Sequence, residues 1–278
     1  MANTALRKGT MNANSAHFSA TDSLARLRKT FERWRIPAVF LDGLTDRKIA
    51  VSFPKDATIF ARGSTPESIG CVLSGYVRVY CPVGDGNRTL MRIVCPGELL
   101  GYSDFIDNRG RRARRFESQS LTKCNVALLS RAHIVRTLRT LHPDTLVDLI
   151  ESLNTYLSET THWFALLLGL PLQQRIEMVF DDLGMRAGVR DARGVFLLPE
   201  ICQEDLAQMI GCSRPAVTRL VRDLEKSGRL ARRGKQYILL SDWDQEPARE
   251  RASWNPFAPT CGATLRMRVR SAAGSGSV

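Results

Sequence analysis

Gln203-Glu204-Asp205-Leu206-Ala207-Gln208-Met209-Ile210-Gly211-Cys212-Ser213-Arg214-Pro215-Ala216-Val217-Thr218-Arg219-Leu220-Val221-Arg222-Asp223-Leu224-Glu225 reads as helix, tight turn, helix. Leu206, Ile210, Val217, Leu220, Val221 and Leu224 fall at helical spacing and supply a buried seam. Ala207 is small enough for a second helix to cross closely, and Gly211 suits a turn that needs a positive φ. Ser213 is placed to cap the second helix, with Pro215 in its first turn, where a missing N–H costs little. Arg214, Thr218, Arg219 and Arg222 point outward, and such side chains suit phosphates and the guanine edge. A plain helical hairpin with a solvated charged face has the same pattern, so the residues on its C-terminal side help to decide between the two.

Lys226-Ser227-Gly228-Arg229-Leu230 has the form of a helix end with a glycine stop. Ala231 to Leu240 then reads as two short strands around the basic turn Arg232-Arg233-Gly234-Lys235, which makes a wing. Between Cys212 and Gln236 the bases are Arg214, Arg219, Arg222, Lys226, Arg229, Arg232, Arg233 and Lys235, against the acids Asp223 and Glu225. A winged helix with that local excess is an electrostatic footprint for a polyanion. The residues expected to touch DNA are Ser213, Arg214, Pro215, Thr218, Arg219 and Arg222 from the helix, and Arg232, Arg233 and Lys235 from the wing.

The whole chain of 278 residues has a net charge of +12, which favours nucleic acid or an anionic surface without choosing between them. Its longest apolar run, Trp163 to Leu170, is far short of the ~20 residues of a membrane span. Arg7 and Lys8 are not followed by an apolar core, so no secretory signal is visible and a cytoplasmic protein is expected. The seven cysteines are odd in number and lack Cys-x-x-Cys spacing, which points to buried structural thiols rather than disulfides or a zinc knuckle.

Taken in order, residues 1–35 comprise a polar tail and a short amphipathic helix from Asp22 to Trp34, expected to pack on its own domain. Residues 36–140 change texture. Ile49–Phe53, Thr58–Phe60, Cys71–Leu73, Tyr76–Tyr80, Leu90–Val94 and Asn125–Leu129 read as strands between Gly, Pro, Asp and Asn breakers, suggesting a small sandwich or jelly roll. A short helix comes next, from Ser130 to Leu138. Residues 141–168 then carry Leu146, Leu149, Ile150, Leu153, Tyr156, Leu157, Thr160, Phe164 and Leu167 in a stripe close to a coiled-coil seam. The stripe serves either a partner helix or the preceding sheet, and a helix-turn-helix reader that binds two half-sites favours the partner. Gly169-Leu170-Pro171 makes a hinge into residues 169–245, which hold a helix from Leu172 to Met185, a short strand at Phe196–Leu198 and the winged unit. Residues 246–278 read as a disordered basic tail.

This order closely resembles the Crp/Fnr superfamily of bacterial transcription regulators. The resemblance covers roughly residues 40 to 242 and rests on Gly211-Cys212-Ser213-Arg214 with Val217, Arg219 and Leu220, on Ser74-Gly75-Tyr76-Val77, on Pro96-Gly97-Glu98-Leu99-Leu100-Gly101, and on His142-Pro143-Asp144. It implies an α+β protein with an N-terminal antiparallel β-roll of the cyclic-nucleotide-binding type, a long dimerisation helix and a C-terminal winged helix-turn-helix. It further implies a homodimer on double-stranded DNA, with RNA polymerase as a partner, no membrane, and a signal sensed in the roll.

Several residues depart from the family pattern. Cyclic-AMP readers place a Glu after the cassette glycine, where this chain has Tyr102 after Gly101. They end the cassette on Arg followed by a hydroxyl, where this chain runs Arg109-Gly110-Arg111-Arg112-Ala113-Arg114-Arg115-Phe116. Thr160 and Thr161 fall where family members contact the adenine. Gly101, Tyr102, Arg114, Arg115, Thr160 and Thr161 are therefore the candidate effector residues, and classical cyclic-AMP binding is not expected of them. The cofactor is unknown: no cysteine precedes Cys71 to hold an iron–sulfur cluster, and His17, His133, His142 and His162 are scattered. Pro215 stands where many members carry a Glu that accepts from cytosine, so the half-site should differ from the common one.

The sequence thus favours a regulator. A ligand-binding regulatory subunit acting on a protein partner would lack the basic recognition face, and no nucleophile–base pair, paired carboxylates, metal spacing or phosphate loop suggests an enzyme.

Overall fold

The computed structural model describes residues 20–34, 36–42, 50–84, 87–103, 113–240 and 243. The expected N-terminal and C-terminal tails, the Arg109–Arg112 stretch, His17 and Cys261 lie outside these residues.

Among the described residues, helix α1 (Ala20–Arg33) and a 3-10 turn (Ala38–Leu41) precede eight antiparallel strands. These are β1 (Ala50–Phe53), β2 (Thr58–Phe60), β3 (Ser68–Ser74), β4 (Val77–Val83), β5 (Asn87–Val94), β6 (Leu99–Leu100), β7 (Glu117–Ser120) and β8 (Cys124–Ser130). They form two facing sheets of order β1-β8-β3-β6 and β2-β7-β4-β5. Helices α2 (Arg131–Thr140), α3 (Pro143–Gly169) and α4 (Leu172–Ala187) come next. The C-terminal unit adds β9 (Gly188–Asp191), β10 (Gly194–Leu197), α5 (Gln203–Ile210), α6 (Arg214–Lys226), β11 (Leu230–Arg233) and β12 (Gln236–Leu240), with sheet order β11-β12-β10-β9. The α+β architecture of roll, long helix and winged helix-turn-helix is that read from the sequence.

The apolar runs of the strands have a structural cause: both sheets are covered twice. Val72, Val77, Val79, Val94 and Val126 fill the space between the sheets. Their strand neighbours Cys71, Leu73, Ala127 and Leu129 point the other way, into a layer closed by Leu27 and Phe31 of α1 and Ile134 of α2. The short N-terminal helix therefore packs on its own domain. On the second sheet, Tyr76, Tyr80, Leu90 and Ile93 face outward and merge with the core of the C-terminal unit, built on Ile176, Phe180, Leu183, Leu206, Val217 and Val221. Period-2 alternation is lost along the stretches where both faces are covered, such as Gly70–Leu73.

The strands missed in the sequence are β6, β7 and β9. Glu117-Ser118-Gln119-Ser120 has no apolar residue, and pairs on both sides with β2 and β4. β6 is two residues long, and β9 pairs with β10 through the turn that Asp191 stabilises by accepting from the Arg193 backbone N–H at 2.8 Å. The strand placed at Phe196–Leu198 spans Gly194–Leu197 instead.

Two ion pairs dock the C-terminal unit on the second sheet. The Arg186 guanidinium of α4 is fully buried and donates to Glu98 at 3.0 Å, to the Ile93 carbonyl at 2.9 Å and to Asp182 on its own helix. Burial alone would lower its pKa, but the Asp182 and Glu98 carboxylates overcome this and hold it well above the ordinary arginine value. Nearer the surface, Arg78 of β4 grips both carboxylate oxygens of Asp205 at 2.9 and 3.0 Å. Gln208 Oε1 accepts from the Leu90 backbone N–H at 2.9 Å beside it.

At the hinge, Arg175 donates to the carbonyls of Leu168 (3.0 Å), Leu170 (2.8 Å) and Ile210 (3.3 Å). A single side chain thereby closes the ends of α3 and α5, where carbonyls lack helical partners.

Arg186→Met removes the cation and strands two buried carboxylates. It should lower the unfolding free energy by about 3–5 kcal/mol in urea titration, the usual cost of breaking a buried pair from one side, whereas Arg193→Ala at the exposed β9–β10 turn should leave the midpoint unchanged.

Candidate nucleic-acid interface and effector cavity

The turn between α5 and α6 depends on Gly211, which sits at φ 69° and ψ 44°. A Cβ there would meet only Arg175, 4.0 Å away, so backbone conformation rather than space demands glycine. The Cys212 N–H closes the turn on the Ala207 carbonyl at 3.0 Å, and Ser213 Oγ caps α6 by accepting from the Ala216 N–H at 3.4 Å. Cys202 and Asp205 form a reciprocal capping pair at the start of α5. Asp205 thus both caps its own helix and binds Arg78.

With Val217, Val221 and Leu224 buried, α6 turns Arg214, Pro215, Arg219 and Arg222 to the exposed side. Arg232, Arg233 and Lys235 are exposed on the wing, whose turn carries Gly234 at φ 65°. The face includes Lys226 and is tempered by Glu225, 3.4 Å from Arg232.

Two residues of the expected footprint are engaged elsewhere. Arg229 turns inward, donates to Glu177 at 2.8 Å and lies over the Trp243 ring at 4.9 Å. Thr218 is half-buried, its hydroxyl 2.8 Å from Gln203 Oε1 and 3.1 Å from the Arg214 carbonyl. It braces α6 against the start of α5.

A cavity of about 510 Å³ opens between the roll and α3. Gly101, Tyr102, Arg114, Arg115 and Thr160 all line it, together with Arg92, Cys81, Met91, Ser103, Ser118 and Phe164. Thr161 is not among its lining: it is exposed, and its hydroxyl donates to the Leu157 carbonyl at 2.8 Å.

Arg114 is buried as a structural strut. Its guanidinium stacks 3.6 Å over Phe60 and donates to the carbonyls of Ser68 and Gly101. Gly101 lies at φ 74°, and a Cβ there would come within 2.5 Å of that guanidinium. Arg115 is exposed at the cavity edge. Arg92 was not anticipated. It is buried, donates to the Leu99 carbonyl at 3.3 Å and lies 3.9 Å from Glu98. The signal was present as a single charge inside the run Leu90-Met91-Arg92-Ile93-Val94.

The Thr160 hydroxyl is buried and finds no hydrogen-bond partner among the described residues. The thiols of Cys71, Cys95 and Cys124 are pushed up to about 12, 12 and 11 by burial, which makes them structural.

Residues 50–140 match the family model of the cyclic nucleotide-binding domain, and residues 166–245 that of the Crp-like helix-turn-helix domain. The chain belongs to the Crp/Fnr superfamily. A CRP-like cAMP-activated global transcriptional regulator of Mycobacterium tuberculosis is 24% identical over 208 residues, spanning 75% of this chain and 91% of that protein. The nitrogen fixation regulation protein FixK of Azorhizobium caulinodans is 26% identical over 192 residues, spanning 68% and 74%. Among solved structures, a CRP-family transcriptional regulator from Thermus thermophilus superposes with a TM-score of 0.58 at 21% identity, covering 76% of this chain and 100% of that one. This Crp/Fnr-type chain is accordingly a DNA-binding transcription regulator. No helix among the described residues is long and apolar enough to cross a membrane.

Thr160→Val keeps the side-chain shape and deletes the orphan hydroxyl. The ligand-free protein should be as stable or up to about 1 kcal/mol more stable in chemical denaturation, because an unsatisfied buried donor is removed.

Proposed function

We propose that the chain acts as a homodimer that reads a two-fold-symmetric DNA site through α6 and the wing, under control of a roll that does not bind cyclic AMP in the classical way. The carrying observation is the fan of exposed arginines on a capped helix whose opposite face is fully buried. Arg214 and Arg219 read bases or phosphates, Arg222 supports them, and Arg232, Arg233 and Lys235 hold the flanking backbone. Ser213 positions the helix, and Pro215 brings no side-chain hydrogen bond to the groove. A basic recognition face is what a regulatory subunit acting only on a protein partner would lack. The work is done in the cytoplasm, with RNA polymerase as partner and no substrate turned over.

The dimer reading rests on α3, whose 27 residues span about 40 Å. Leu149, Phe164 and Leu167 pack inward, while Ile150 and Leu157 are each 63% exposed and Leu153 is 40% exposed. A line of large apolar side chains along a long helix calls for a second copy.

The departure from cyclic AMP rests on the cavity wall. Tyr102 occupies the place of the ribose-accepting carboxylate, and Arg114 spends its guanidinium on Phe60, Ser68 and Gly101. The rest of the wall, with Arg92 and Arg115 beside Met91, Phe164 and the unpartnered Thr160 hydroxyl, suits an anion with an apolar body. A route from that wall to DNA is at hand, since Glu98 lies three residues before Gly101 and binds Arg186 of α4.

Selection of bound fragments from sheared genomic DNA at one salt concentration, with and without cyclic AMP, tests the reading. The expected outcome is one symmetric motif in both samples; a motif that needs cyclic AMP would overturn the effector assignment. Arg219→Ala should cost about 1–3 kcal/mol and blur one base position, whereas Arg233→Ala should weaken all sequences alike and lower the salt slope by about one. Ile150→Asp should shift the protein from dimer to monomer in light scattering, with loss of the symmetric motif.

A further inference from the structure

On the far side of Tyr102 from the effector cavity lies a second, smaller cavity of about 130 Å³. It is a half-open apolar pocket where α1, α2 and α3 meet the outer face of the first sheet. Phe31 and Trp34 come from α1 and its end, Phe40 from the 3-10 turn, Ile134 and Leu138 from α2, and Leu149 from α3. Leu99, Tyr102 and Leu153 line both cavities, which therefore adjoin.

Among the described residues, two of the polar side chains at its border are committed elsewhere. Ser152 Oγ donates to the Asp148 carbonyl of its own helix at 2.9 Å, and Trp34 Nε1 donates to the Gly97 carbonyl at 3.0 Å. An ordered water needs two to four polar partners, which the described residues of this wall do not offer. An unfilled apolar space forfeits dispersion contacts that an occupant of matching shape restores. Closed apolar cavities of about this size take up benzene or xenon, and this half-open one offers a guest the same kind of contacts. The rings of Phe31, Trp34, Phe40 and Tyr102 further favour an aromatic guest, through edge-to-face contacts.

We propose that this cavity binds one small neutral apolar molecule, of the size of a single aromatic ring or a short alkyl chain. The site is distinct from the DNA-reading face and adjoins the larger, arginine-bearing cavity, with which it shares Leu99, Tyr102 and Leu153.

The test uses the full-length protein with toluene as probe. Thermal unfolding should show a saturable rise of about 3 °C with toluene, by preferential binding to the folded state. Leu138→Trp, which places an indole in the space from a half-buried position, should abolish the rise. Crystals of the unsubstituted protein under xenon pressure provide a second readout that does not depend on the variant folding, with a xenon peak expected between Phe31, Ile134 and Leu149. No saturable shift together with no xenon there would overturn the proposal. So would a rise that persists in Leu138→Trp, or a side chain of a second copy found filling the cavity.

Discussion

The buried guanidinium of Arg186 constrains how the two halves of this regulator meet. A guanidinium taken fully out of water is tolerated only if each of its donors finds an acceptor. Here the acceptors come from both sides: Asp182 on its own helix, and Glu98 and the Ile93 carbonyl on the roll. Neither half can satisfy the group alone, so the seating of α4 on the second sheet is close to all-or-none. The other contacts depend on that seating. Once α4 is placed, α5 lies along β5, Asp205 comes within reach of Arg78, and Gln208 meets the Leu90 backbone.

The same pair gives the larger cavity a short connection to the DNA-binding unit. Glu98 belongs to the turn that ends at Gly101, and Arg92, which faces Glu98, is itself part of the cavity wall. A ligand that moved the Leu99–Gly101 backbone would pull on a group with no freedom to re-solvate. Helix α3 answers the opposite need. Its inner side roofs both cavities, where Leu157 stands half in solvent at the edge of the larger one, and its outer side leaves Val147 and Ile150 in water, an apolar surface suited to a partner segment.

The helix-turn-helix was legible because its signals are local. The Ser213 cap, the Gly211 turn and the seam from Leu206 to Leu224 operate within one or two helical turns, and each is found where the spacing placed it. Long strands with apolar runs were legible for the same reason. The strand Glu117–Ser120 was not, because it is made of polar residues whose place is set by pairing with β2 and β4 rather than by burial of side chains. The cavity residues fared unevenly. Gly101, Tyr102, Arg115 and Thr160 converge, Thr161 faces outward, and Arg92 entered unannounced from the middle of a strand.

The sequence by itself determined the element types, the capped recognition helix, the wing and the order roll, long helix, reader, since these arise from backbone preferences and periodicity over a few residues. Only the tertiary structure decided which charges are available. Arg114 is spent on Phe60 and Ser68, Arg229 on Glu177, and Arg186 on Glu98, while Arg214, Arg219 and Arg222 stay in solvent. All six look alike in the sequence. What separates them is a partner brought close by folding from 46 residues away for Arg114, 52 for Arg229 and 88 for Arg186. A long-range approach of that kind depends on the packing of whole sheets and helices, which no local pattern encodes.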